Sequence, residues 1–177
     1  MGLIEESVGE ESWANRHVTE RDKFWSKGLV NHADRVVNNQ HKPLLLVLTG
    51  NVSRENYKKV GTELEKELFE KGVQVYRYGF QFLRMADTDA VSIAELRQDM
   101  FRQLLDIGYA FMDAGMVFIT AIRGLTSLEL KQLKTISQPF DVVIIDLESP
   151  SAIADLYWDE HSQSMVIQTI LDKISPS

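Results

Sequence analysis

Apolar and polar positions along this chain change period in a regular way. The run Leu44-Leu45-Leu46-Val47-Leu48-Thr49 is short and almost continuously apolar, which predicts a strand buried on both faces, as in a parallel sheet. Tyr57, Val60, Leu64 and Leu68 follow at helical spacing, and Lys71-Gly72 supplies a stop. Val73-Gln74-Val75-Tyr76 predicts a second strand. Ser92 with Glu95 has the form of a capping box opening a helix striped by Leu96, Met100, Leu104, Ile107 and Phe111. Met116 to Ala121 predicts a third strand. Thr126 with Glu129 is a second capping box, before a short helix carrying Leu130 and Leu133. Asp141 to Asp146 predicts a fourth strand, and Val166, Ile167, Ile170, Leu171 and Ile174 a last helix.

Upstream of Pro43 the signal weakens. Phe24, Trp25, Leu29, Val36 and Val37 give a faint helical stripe between His17 and Asn39, and Pro43 ends it. Residues 1–16 carry Glu5, Glu6, Glu10 and Glu11 among small and polar residues and read as a flexible acidic tail, leaving 17–177 as one α/β domain. Alternating strands and helices imply a three-layer α/β/α arrangement around a mainly parallel central sheet.

Composition narrows the function classes. A chain of 177 residues can bury a real core. It contains no cysteine, so disulfides, thiolate metal sites and cysteine nucleophiles are excluded. The net charge of −7 argues against general nucleic-acid binding. No apolar run is long enough to span a bilayer, and the first residues lack the apolar segment of a secretory signal. A cytoplasmic protein is expected. The four histidines, at 17, 32, 41 and 161, show no metal-ligand spacing, so no metal site is expected.

Three stretches, in order, carry a family resemblance: His17-Val18-Thr19-Glu20-Arg21-Asp22; Leu48-Thr49-Gly50 with the helix and strand from Leu64 to Tyr76; and Phe111-Met112-Asp113-Ala114-Gly115-Met116-Val117-Phe118-Ile119-Thr120-Ala121. Together they resemble adenylylsulfate (APS) kinase, a P-loop kinase of sulfate activation, over residues 17–146. The resemblance implies a P-loop NTPase-like fold, with ATP and APS as the family's substrates.

The motif that would make it a kinase is altered. A phosphate loop needs G-x-x-x-x-G-K-[ST] after the first strand, so that backbone N–H groups curl round the phosphates, the Lys meets the β/γ oxygens and the hydroxyl holds Mg²⁺. Here the loop reads Gly50-Asn51-Val52-Ser53-Arg54-Glu55-Asn56-Tyr57. Glu55 stands at the second Gly, Asn56 at the Lys and Tyr57 at the Ser/Thr. Arg54, Lys58 and Lys59 read as solvated surface charges. The family's Asp-Gly-Asp-Asn-Val-Arg run corresponds to Gly79-Phe80-Gln81-Phe82-Leu83-Arg84, without either acid. Its Ile-Ser-Pro-Tyr-Arg corresponds to Arg123-Gly124-Leu125-Thr126-Ser127, and 147–177 is a short remainder for its basic lid. No catalytic residue is expected, and ATP-Mg is not expected as a cofactor.

Substrate-side residues persist. Arg84 stands at the Arg of the second-strand motif. Arg97 and Arg102 match two arginines of the family's Asp-Arg-x-Glu-Asn-Ile-Arg-Arg run, which the resemblance associates with the phosphosulfate of APS or of its 3′-phosphorylated product, PAPS. Phe80 and Phe82 offer an aromatic face for adenine. The competing reading makes Arg97 and Arg102 surface residues paired with Glu95, Asp99 or Asp106. The expectation is therefore an APS-kinase-like domain without kinase activity, acting as an APS- or PAPS-binding or regulatory module. An ATP sulfurylase, another sulfate-activation protein or a second copy are its expected partners. The alternatives are an active APS kinase with relocated catalytic groups, or a structural subunit with no ligand.

Overall fold

A computed structural model describes residues 2–78 and 90–176 of the chain. Among the described residues, five strands form one sheet in the order β2-β3-β1-β4-β5, every adjacent pair parallel. They are β1 (Leu44–Thr49), β2 (Val75–Arg77), β3 (Val117–Ala121), β4 (Asp141–Asp146) and β5 (Leu156–Tyr157). Strand β1 lies between β3 and β4, and all six of its residues are buried. Its apolar run has this cause. Leu44, Leu46 and Leu48 face one core with Leu64, Leu68, Val166 and Ile170, while Leu45 and Val47 face the other with Phe101, Leu104 and Leu133.

The first core is covered by α3 (Arg54–Glu70) and α6 (Gln163–Ile174), the second by α1 (Gly2–Phe24), α4 (Ala90–Asp113) and α5 (Ser127–Ser137). A short α2 (His32–Asn39), capped reciprocally by Asn31 and Asp34, buries no residue. The fold is thus the expected three-layer α/β/α one. Among the described residues, no helix is long and apolar enough to cross a membrane.

Several expected boundaries move. Helix α1 runs through the boundary placed at residue 16, where a flexible tail was expected to give way to the domain. Ala14 is 1% exposed and Trp13 packs on the second core. Further along, the Arg21 guanidinium lies 3.5 Å over the Tyr109 ring and donates to the Ile136 carbonyl at 2.6 Å. Those contacts, from partners about a hundred residues away, hold a helix whose own sequence has no strong apolar stripe. Strand β2 begins two residues later than its pattern predicts. Val73 instead closes α3: its N–H bonds Leu68 O while Gly72, at φ +81°, bonds Phe69 O. Helix α4 starts at Ala90, so Ser92 lies inside it rather than at its cap.

Candidate functional site

The C-terminal edges of β1, β3 and β4 meet at one end of the sheet, where ligands gather in folds of this kind. Gly50 leaves β1 at φ +117°, a conformation open to glycine. A Cβ there would stand 3.0 Å from Asp146 Oδ1 and 3.1 Å from Glu148 N. The chain then turns into α3, with Ser53 at the N-cap accepting from Asn56 N at 3.1 Å.

Two of the chain's own groups occupy this turn. Asn51 N–H donates to Glu148 Oε2 at 2.9 Å. The Tyr57 hydroxyl, on a ring only 5% exposed, donates to the Gly50 carbonyl. Burial pushes the Tyr57 phenol up to about 12; Arg123 acts to lower it, and Asp146 and Glu148 to raise it. Asp146, buried at the end of β4, accepts from Glu148 N at 2.9 Å and Ser149 N at 3.3 Å, which fixes the segment presenting Glu148. The sequence places Tyr57 at a position needing a small hydroxyl. It does not reveal that the ring joins the core and ties the loop back on itself.

Beside it, Thr49 Oγ donates to Ile122 O at 2.8 Å and accepts from Leu125 N at 3.1 Å, joining the ends of β1 and β3. Arg123, the next residue, is exposed and donates to Asn51 Oδ1 through Nη2 at 2.8 Å and Nε at 3.3 Å. Asn51 is therefore held by a carboxylate on its N–H and a guanidinium on its side chain.

Arg97 reaches the same edge from α4. Its Nε and Nη2 meet Glu129 Oε1 and Oε2 at 2.8 and 2.9 Å, and its other N–H groups reach the carbonyls of Arg123 and Gly124 at 3.1 and 3.4 Å. Glu129 simultaneously closes the capping box with Thr126 at the start of α5. Burial would raise the Glu129 carboxyl, but the Arg97 fork and Thr126 hold it below its ordinary value. The Arg97 guanidinium is raised by the same hydrogen bonds.

Among the described residues, Val52, Arg54, Tyr57, Arg97, Met100, Phe101, Leu104, Ala121, Ile122 and Arg123 line a cavity of about 200 Å³ between α3, α4 and the end of β3. Of the arginines expected to hold an anion, Arg97 lines it, but paired with Glu129 rather than with Glu95, Asp99 or Asp106. It stands two turns into α4, away from the N-terminal dipole. Arg102 does not join it: its guanidinium lies 4.5 Å over Trp13 of α1 and pairs with Asp99 at 3.8 Å. Arg84, Phe80 and Phe82 lie outside the described residues. Arg54, read as solvated charge, and Arg123, given no role, both line the cavity; no local pattern marked them, because the β1–β3 pairing is what brings them together. No group of three or more His, Asp or Glu among the described residues is placed to hold a metal.

No protein-family model matches the chain. It is 30% identical over 99 residues to a probable adenylyl-sulfate kinase of Halalkalibacterium halodurans, covering 55% of this chain and 47% of that protein. It is 24% identical over 144 residues to an adenylyl-sulfate kinase of Geotalea daltonii, covering 80% of this chain and 68% of that protein. The chain therefore spans about half the length of the first relative. Among solved structures, a hexameric APS kinase from Thiobacillus denitrificans superposes with a TM-score of 0.56 at 14% identity, over 76% of this chain and 29% of that one. At that identity the likeness is one of fold.

Proposed function

We propose, for a chain that carries the P-loop fold of the APS kinase family, that it is an APS-kinase-like domain that does not transfer phosphate and serves as a binding or regulatory module for an adenylyl sulfate-type anion. One observation carries this reading: the turn that would cradle ATP phosphates is filled by the chain's own Glu148 carboxylate on Asn51 N–H and by the Tyr57 hydroxyl on Gly50 O. A phosphate entering there would meet a carboxylate where the P-loop offers a backbone N–H. Asn56 brings no cation to replace the missing Lys. Phosphoryl transfer depends on positioning and electrostatic stabilisation, and each of these changes works against both.

The second half of the reading is supported by the cavity next door. It sits at the ligand-binding edge of the sheet and is rimmed by Arg54, Arg97 and Arg123, and guanidinium forks suit sulfate and phosphate oxygens. A sulfate-activation enzyme or a second copy of the chain is the corresponding partner.

Calorimetric titration with ATP-Mg, APS and PAPS separates the possibilities. The expected result is saturable binding of APS or PAPS and none of ATP-Mg at millimolar concentration. Saturable ATP-Mg binding would favour an active kinase, and silence with all three would favour a structural subunit; either overturns the proposal.

A further inference from the structure

The three arginines at the cavity rim are not equivalent. Arg97 is neutralised by Glu129, with both carboxylate oxygens engaged at 2.8 and 2.9 Å. Arg123 bonds only the neutral side-chain oxygen of Asn51, and no carboxylate among the described residues lies within ion-pair distance of Arg123 or of Arg54. The contact to Asn51 uses Nε and Nη2 of Arg123, leaving other N–H donors of its five unengaged and the fork fixed in direction. A cation held in place by a neutral partner is prepared for an anion without first breaking an ion pair.

The walls behind that rim are apolar: Val52, Met100, Phe101, Leu104, Ala121 and Ile122. The cavity of about 200 Å³ is smaller than the roughly 300–1,000 Å³ of sites that engulf a drug-sized ligand. It suits the burial of one or two rings, such as a base or an aryl group, with the rest of a larger ligand outside it. A nucleoside triphosphate, with several negative charges near Glu148 and Asp146, which act on Tyr57 in the cavity wall, does not match this combination.

We propose that this cavity takes a compact organic monoanion, an apolar or aromatic body bearing one sulfate or carboxylate, with Arg123 and Arg54 binding the oxyanion and the α4 and β3 side chains burying the body. The inference rests on the reading that this edge of the sheet binds an anion without ATP, and it makes Arg123, rather than Arg97, the specificity-determining cation. Arg97 has a positioning role: its bonds to the carbonyls of Arg123 and Gly124 hold the turn that presents Arg123.

The test is titration of the full chain with 2-naphthyl sulfate, alongside 2-naphthol, inorganic sulfate and APS. Naphthyl sulfate should bind saturably and at least tenfold more tightly than naphthol or inorganic sulfate. Arg123→Gln should weaken it about tenfold, corresponding to about 1.4 kcal/mol, with unchanged melting temperature, and Arg54→Gln should weaken it less. Arg123 is exposed, so its variant reads binding rather than folding. Equal binding of inorganic sulfate would reduce the site to a bare anion contact, and equal binding of naphthol to a bare apolar pocket. Unchanged affinity in both arginine variants, or no binding of naphthyl sulfate, overturns the inference as well. If APS binds and naphthyl sulfate does not, this inference fails while the proposed function stands; if naphthyl sulfate binds and APS does not, the reverse holds.

Discussion

The turn after β1 and the turn after β3 lie side by side on one sheet edge and have been filled in opposite ways. After β1, the Asn51 N–H, a donor that an anion could use, already meets Glu148, and the Tyr57 hydroxyl ties the Gly50 carbonyl back onto α3. After β3, Arg97 is cancelled by Glu129, yet Arg123 keeps its charge against a neutral amide. A single residue, Asn51, joins the two turns: its backbone N–H donates to a carboxylate and its side-chain oxygen accepts from a guanidinium. Two neighbouring turns on one edge can thus differ in what their polar groups face: on the β1 side a backbone donor meets a carboxylate, and on the β3 side a guanidinium meets a neutral amide.

The largest expected effect is on the closed side. Gly50→Ala forces a Cβ into the left-handed region against Asp146 Oδ1 and Glu148 N. It should cost roughly 3 kcal/mol in chemical denaturation, the sum of backbone strain and displacement of the β4 turn. A loss under about 0.5 kcal/mol, the range of an ordinary surface change, would mean that the β1 turn is not tightly closed.

Tyr57 gives a pH signature. Its phenol titrates near 10.0 when unperturbed and at about 12 in the folded chain. The folded state therefore keeps its proton after the unfolded chain has released its own. Stability should fall as pH rises through that window, by on the order of 2 to 3 kcal/mol. The difference between wild type and Tyr57→Phe isolates this from the other tyrosines. A difference that stays flat between pH 9 and 12 would show that the Tyr57 hydroxyl is not sequestered.

On the open side the effects are smaller. Arg97→Ala should lower stability by about 1–2 kcal/mol, since the guanidinium is partly exposed but clamps α4 to the cap of α5. The sequence alone implies a nearly unchanged melting temperature for this variant, because it shows no partner beyond neighbours on the same helix. The wild-type advantage should shrink as pH falls through the lowered Glu129 titration, because the protonated carboxyl no longer holds the fork. A difference independent of pH would mean that Glu129 is not the partner that matters. The smallest stability change is expected from Glu148→Gln, a few tenths of a kcal/mol, as an exposed amide can replace the carboxylate on Asn51 N–H. Strong ATP-Mg binding by this variant would show that Glu148 alone had closed the turn.

What could be read from the chain follows the range of the interactions. Strand β4 and the Thr126–Glu129 capping box are written in adjacent residues, and both stand where their patterns place them. The central position of β1 follows from an apolar run that needs two covered faces. Strand β5 has two residues, too few to register as a period. In α1, Trp13 and Arg21 find their partners on α4 and α5, far along the chain, which no local pattern shows. The same limit applies at the site. Arg97 and Glu129 are 32 positions apart, and Asn51 and Glu148 are 97 apart. No local pattern announces either pair, so the carboxylate on Arg97 comes from Glu129 of α5 and not from a neighbour on its own helix.

The central claim, that the β1 turn no longer handles a nucleotide phosphate, is tested most directly by following PAPS formation from ATP-Mg and APS with highly purified protein. The account predicts no turnover above the no-protein control, for wild type and for Asn56→Lys alike, since the lysine would still face Glu55 and a turn occupied by Glu148 and Tyr57. PAPS produced in proportion to wild-type protein, and lost on Arg97→Ala or Arg123→Gln, would contradict it.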